Sequence, residues 1–211
     1  MHELLTRHAF IRFSSVATVV LVAALTGCDP NRSNDDLSKR LEQNGYSFLP
    51  PDESGWLIAK RSTDQVTLLK AGTMEGQSYL IEAGHIALDK TKSEDELIAF
   101  AETTHRETFP RPRFRIREHD ASALQISGAQ CATSHVVAED RDPGTGSNVV
   151  TAVLIDAVGT VCIHPLRPDL GIAMNVTHRS FPEDRDRGFE ARGLRILEAQ
   201  QFSEPTPQGG N

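Results

Sequence analysis

The chain has 211 residues, with 22 Lys and Arg against 29 Asp and Glu, for a net charge of -7 at pH 7. That acidic balance argues against nucleic acid as a partner and against electrostatic adhesion to anionic lipid. The length suits one domain with a sizeable core and hardly allows two.

At the N-terminus, Arg7 and Arg12 are opposed only by Glu3, which supplies the positive flank of an export signal. Val16 to Leu25 then holds nine apolar residues and one Thr. A run of that length fits a signal core and falls short of the roughly 20 residues that cross a bilayer. The end of this run and the three residues after it, Leu25-Thr26-Gly27-Cys28, resemble the lipobox of bacterial lipoprotein precursors. The resemblance implies that residues 1–27 are a signal peptide, that cleavage falls before Cys28, and that its thiolate takes a thioether-linked diacylglycerol. Two or three acyl chains, such as palmitate, hold a protein on a membrane, whereas one binds marginally. The implied location is the cell envelope, lipid-anchored and facing the periplasm. Asp29 resembles the signal that keeps lipoproteins on the inner membrane and tilts the expectation that way over the outer one. Residues 28–33 are a polar tether that contains Pro30, too short to lift the domain far from the headgroups.

One domain is expected over 34–202. Asn34 is placed to cap a helix with Leu37 and Leu41 one turn apart, stopped by Asn44-Gly45. Strand-like runs follow: Tyr46–Leu49 leading to Gly55–Arg61, Gln65–Ala71 and Ser78–Leu88, which predict an antiparallel meander. Ser93 and Glu96 form a capping box that starts a helix. Its stripe runs Leu97, Ala101, Thr104 and Thr108, and Pro110 and Pro112 end it. Five further strand runs are predicted at Arg113–His119, Ala123–Glu139, Asn148–Val158, Thr160–His164 and Gly171–Arg179. The loop Asp142 to Ser147 reads as a hairpin. Val149 to Val158 is apolar at odd and even positions apart from Thr151 and Asp156, the pattern of a strand covered on both faces. Pro182, Phe189, Gly193, Ile196 and Leu197 mark a last helix, with Gly193 allowing close approach to the sheet. Residues 203–211 read as a disordered tail.

This order predicts an α+β fold: an antiparallel sheet of about six to seven strands with helices packed on its faces. In element order it resembles the Mog1/PsbP-like arrangement of uncharacterised bacterial lipoproteins. That resemblance implies binding or assembly more than catalysis.

With Cys28 acylated, Cys131 and Cys162 are left as a pair in a compartment where disulfides persist. In a flat sheet, two cysteines on either side of a central strand stand about 9.5 Å apart, beyond the ~7 Å limit for a bridge. A strand end at Asp156 to Gly159 would let Cys162 swing beside Cys131. The alternative is a metal or redox site built from Cys131, His135, Cys162 and His164. Arg111, Arg113, Arg115 and Arg117 alternate along one strand. Such a row either holds an anionic ligand or partner, or is a charged edge that pairs with neighbours such as Glu139 and Asp140. The chain contains no G-x-S-x-G, S-x-x-K or H-E-x-x-H pattern. The sequence therefore names no catalytic residue and no cofactor, and it points to a structural or partner-binding role beside an envelope protein.

Overall fold

Runs rich in Val, Ile, Ala and Thr make long strands here, and tight hairpins lay most of them side by side in chain order. The computed structural model describes residues 37–88, 93–142 and 152–206. Outside the described residues lie the leader, Cys28, Asp29, the tether, Asn34, most of the Asp142 to Ser147 loop and residues 207–211. Among the described residues the elements are β1 (Leu41–Gln43), β2 (Tyr46–Phe48), β3 (Leu57–Arg61), β4 (Gln65–Ala71) and β5 (Ser78–Ala87), then α1 (Glu94–Glu107). The second half holds β6 (Phe114–Ile126), β7 (Ala129–Asp140), β8 (Val153–His164), β9 (Arg167–Ser180), α2 (Phe189–Glu198) and β10 (Gln201–Phe202).

Seven strands form one antiparallel sheet in the order β3-β4-β5-β9-β8-β7-β6, and β1-β2-β10 form a second, small sheet. Strand takes 52% of the described residues and helix 17%, so the molecule is mostly β. The expected meander of β3, β4 and β5 is present. The expected first helix is not: Leu41 belongs to β1, and Asn44-Gly45 is the turn of a β1–β2 hairpin, with Gly45 at φ +83°. Asn-Gly is as good a hairpin turn as it is a helix stop, and pairing with β2 decides between them.

Two further boundaries differ from expectation. Arg113–His119 and Ala123–Glu139 do not break near residue 120. The chain instead turns at Ser127 (φ 47°) and Gly128 (φ 83°), so that Ile126 pairs with Ala129 across a two-residue loop of the type I′ kind. Likewise β8 runs unbroken through Asp156 to Gly159, where a strand end was expected. Cys162 lies within β8 directly opposite Cys131 of β7, with no intervening strand. Their Cα atoms are 4.0 Å apart and the sulfurs are bonded.

The ladder sorts side chains by parity. Val158, Met174 and Val176 share a buried cluster with Phe189 and Leu197 of α2, whereas their alternates Val161 and Ala173 cluster with Leu97 and Ala101 of α1. The helix α1 starts as expected, with Ser93 Oγ accepting from the Glu96 N–H and the Glu96 carboxylate accepting from the Ser93 N–H. Its buried stripe is Leu97, Ala101 and His105, one position off the expected Thr104. Pro182 opens a separate 3-10 turn (Pro182–Asp184), and α2 begins only at Phe189. Strand β8 is buried along nearly all its length, as its doubly apolar sequence implies.

Gly193 lets α2 approach β8 closely, since a Cβ there would meet Val158 Cβ and Cγ2 at 3.3 Å and Val158 would have to give way. Gly193→Val should cost about 1–3 kcal/mol by overpacking, read as a lowered urea midpoint; an unchanged midpoint would show that α2 can lift from β8. Replacing Cys131 and Cys162 together by Ala frees a link spanning 31 positions and should cost about 3–4 kcal/mol in the chain-entropy account.

Candidate functional site: a polar band and an adjoining groove

Register carries a line of polar and aromatic side chains across the face that α2 occupies. Asp120 stands opposite His135, Asp156 opposite His178, and His178 opposite Tyr79. His135 pairs with Val158, two residues along from Asp156, so His135 and Asp156 are diagonal neighbours on one face. Both are buried, at 7% and 4% exposure. His135 Nε2 donates to Asp156 Oδ1 at 2.8 Å, and Arg185 Nε donates to Oδ2 at 3.3 Å. Arg185 also donates to both Glu118 oxygens, at 2.8 and 3.1 Å.

With its Nε2–H committed to the Asp156 carboxylate, His135 presents Nδ1 to the outside of the band. That nitrogen lies 3.7 Å from Asp120 Oδ1 and 3.6 Å from Glu190 Oε2. Both separations exceed a hydrogen bond. Burial works against a charged His135 ring, but the hydrogen bond to Asp156 and the charges of Asp156, Glu190 and Asp120 outweigh it and raise the pKa above 6.5. The carboxyl of Glu118 is held low by its bond to Arg185.

His178 ends the band. It has no exposed surface, and neither ring nitrogen has a hydrogen-bond partner among the described residues. Its ring stacks on Tyr79 with centroids 4.5 Å apart and tilts against Phe189 at 5.4 Å. Burial pushes its pKa down, so it packs as a neutral aromatic ring. Tyr79 and Phe189 also floor a groove of about 390 Å³, completed by Trp56, Gly193 and Ile196 and rimmed by Lys70, Arg192 and Arg195. Lys70 pairs with Glu53 and sits 5.9 Å from the centroids of both Trp56 and Tyr79. Arg192 pairs with Asp186, while Arg195 has no ion-pair partner among the described residues.

The residues singled out in the sequence fall in different places. Cys131 and Cys162 hold each other. His164 Nε2 contacts the carbonyls of Gly45 and Ser203 at 2.9 and 3.1 Å, and its Nδ1 accepts from the Leu166 N–H at 3.2 Å. His135 is bound up with Asp156 instead. The site of two cysteines and two histidines is therefore not assembled, because the two sulfurs are bonded to each other and His135 and His164 turn to separate partners.

The arginine row is also broken. Arg113 makes two bonds to Asp140, at 3.0 and 2.9 Å, and Arg117 pairs with Glu139. Register shifts between Ile116 and Glu118, making Arg117 the extra residue of a bulge. Arg111 lies before β6, and Arg115 is exposed on it. Strand β6 is an edge of the large sheet, and its charges protect that edge.

On the opposite face His105 Nδ1 bonds to Ser134 Oγ at 2.7 Å. Burial first, then the nearby His119 and His135, push the His105 pKa down to about 4. Ser134 is only 3% exposed, which leaves its hydroxyl out of a substrate's reach.

Asp120, Asp156, Arg185 and Glu190 were not singled out as site residues from the sequence. Asp156 did leave a signal, as one of the two polar breaks in an apolar run. No protein-family model matches the chain, and no curated protein matches it.

Because the folded-state pKa of His135 lies above its unfolded value of 6.5, protonation adds stability that is complete below 6.5 and fades as pH rises through the folded value. Urea melts of chelator-treated protein and of His135→Gln across this range should show a gap that is widest at acidic pH and shrinks as pH rises. A gap that grew with pH would contradict the assignment.

Proposed function

We propose that the protein is a lipid-anchored, periplasm-facing envelope protein that binds a partner and has no catalytic role. The lipobox at Leu25 to Cys28 supports the anchor, and Asp29 favours the inner membrane. Residues 34–202 serve as one α+β domain, with α1 and α2 covering opposite faces of the large sheet. Close tethering puts this domain within reach of other membrane-bound chains.

One observation carries the binding reading: a largely apolar groove with Arg195 at its margin on a chain of net charge -7. The floor offers Trp56, Tyr79 and Phe189, side chains that bind by area and ring contact. At its margin Arg195 has no ion-pair partner among the described residues, whereas Lys70 pairs with Glu53, itself a lining residue, and Arg192 pairs with Asp186. An occupant that suits both is a segment of an envelope protein bearing apolar side chains flanked by Asp or Glu. Nucleic acid does not suit the overall charge.

Cys28→Ser should leave an unprocessed or soluble form, seen by fractionation; continued membrane attachment would sink the anchor. A photoreactive residue at Leu49, which is 44% exposed and lines the groove, should capture one envelope protein in cells. Arg195→Glu should weaken that capture at least tenfold, since it reverses a rim charge. An adduct indifferent to Arg195→Glu would refute the groove as the contact surface.

A further inference from the structure

We propose that Asp120, His135 and Glu190 form a binding site for one divalent transition-metal ion of the zinc class, with His135 Nδ1 and one oxygen from each carboxylate as ligands. The three side chains come from β6, β7 and the first turn of α2, so the site joins three separate stretches of chain. Their ligand atoms all lie within 4.8 Å of one another.

The spacing accommodates a shared cation. Nδ1 stands 3.7 Å from Asp120 and 3.6 Å from Glu190, too far to donate to either. Ligands on a tetrahedral zinc, each bonded at about 2.1 Å, stand about 3.4 Å apart. Small rotations of two exposed carboxylates close that difference. Asp120 and Glu190 side chains are 69% and 49% exposed, while His135 is held below them. No Lys or Arg pairs with Asp120 or Glu190 among the described residues, so the charge that faces them is either a proton on His135 Nδ1 or a cation bound in its place.

The surroundings of His135 are those of a metal ligand. Histidines that bind metal through one nitrogen donate the other N–H to a carboxylate, which fixes the ring and raises its basicity. Asp156 does this here through Nε2, and Arg185 holds Asp156 in turn. Asp156 thus acts as a positioning residue that does not touch the ion. One nitrogen and two oxygens suit zinc, cobalt or manganese better than a soft cation. With three protein ligands and an open mouth, the remaining position falls to water or to a side chain of a partner.

The test uses the full chain in detergent, stripped with chelator and titrated with Zn2+ by calorimetry and with Co2+ by visible absorption. One high-affinity Zn2+ per chain and the intense bands of tetrahedral cobalt are expected. Asp120→Asn and Glu190→Gln, both at exposed positions that spare the fold, should each weaken Zn2+ at least tenfold and abolish the cobalt bands. Asp156→Asn should weaken Zn2+ roughly 10–100-fold, with the cobalt bands shifted but present. Circular dichroism checks that each variant is folded. The proposal is overturned if the parent binds neither ion at sub-millimolar concentration, or if Asp120→Asn and Glu190→Gln bind as the parent does.

Discussion

The bond between Cys131 and Cys162 fixes β7 against β8 in one register, and the placement of nearly every chemically active side chain depends on that register. From Cys131 opposite Cys162 to Asp140 opposite Val153, the two strands pair without a break. A slip of one residue would turn Val136 and Ala138 out of their cluster and send His135 to the side where α1 lies. The neighbouring pairs, β8 with β9 and β9 with β5, extend the same alignment across the sheet. Asp156 and His178 meet, and Tyr79 lies beside them, only because these ladders agree.

Within that frame Asp156 is the costly element. A carboxylate taken out of water needs partners for both oxygens, and it draws one from β7 and one from the segment between β9 and α2. Arg185 in turn holds Glu118 on the edge strand. One buried charge thereby ties an edge, a central strand and the approach to α2. The groove beside it has the opposite character: it is lined mostly by aromatic and aliphatic side chains, and its charged residues Lys70 and Arg192 are held in ion pairs. The two features share Phe189 and Tyr79, so an occupant of the groove would press on the ring stack that ends the polar band.

Local signals were legible where one mechanism owned the residues. The capping box of Ser93 and Glu96, the doubly apolar run of β8, the close approach of Gly193 and the meander of β3 to β5 could all be read from the chain. Two turn dipeptides were not. Asn44-Gly45 serves either a helix end or a hairpin, and Ser127-Gly128 is masked by apolar alternation on both sides; in each case the partner strand decides. The cysteine pair was legible as a pair, but its geometry was not, because Asp156 to Gly159 was read as a strand end although it runs straight. The polar band was the least legible. It is assembled across five strands, and no spacing along the chain places Asp120, His135, Asp156 and Glu190 together. Pairing of the arginines with Glu139 and Asp140 was one of two readings of the row, and the β6–β7 hairpin brings Arg113 to Asp140 and Arg117 to Glu139.

The small sheet has a mechanical consequence. Strand β2 sits between β1 and β10, with Tyr46 and Phe48 wholly buried, so Tyr46 and Ser47 pair with both the first and the last strand of the described chain. Arg40 reaches the Ala199 carbonyl at 2.8 Å, and Ser127 Oγ reaches that of Gln200 at 2.6 Å. Tension applied at the N-terminal side cannot peel β1 away without loading the strand that also retains the C-terminal segment. A protease trimming from the other end meets the same clasp, so resistance to pulling and resistance to digestion rest on one shared strand.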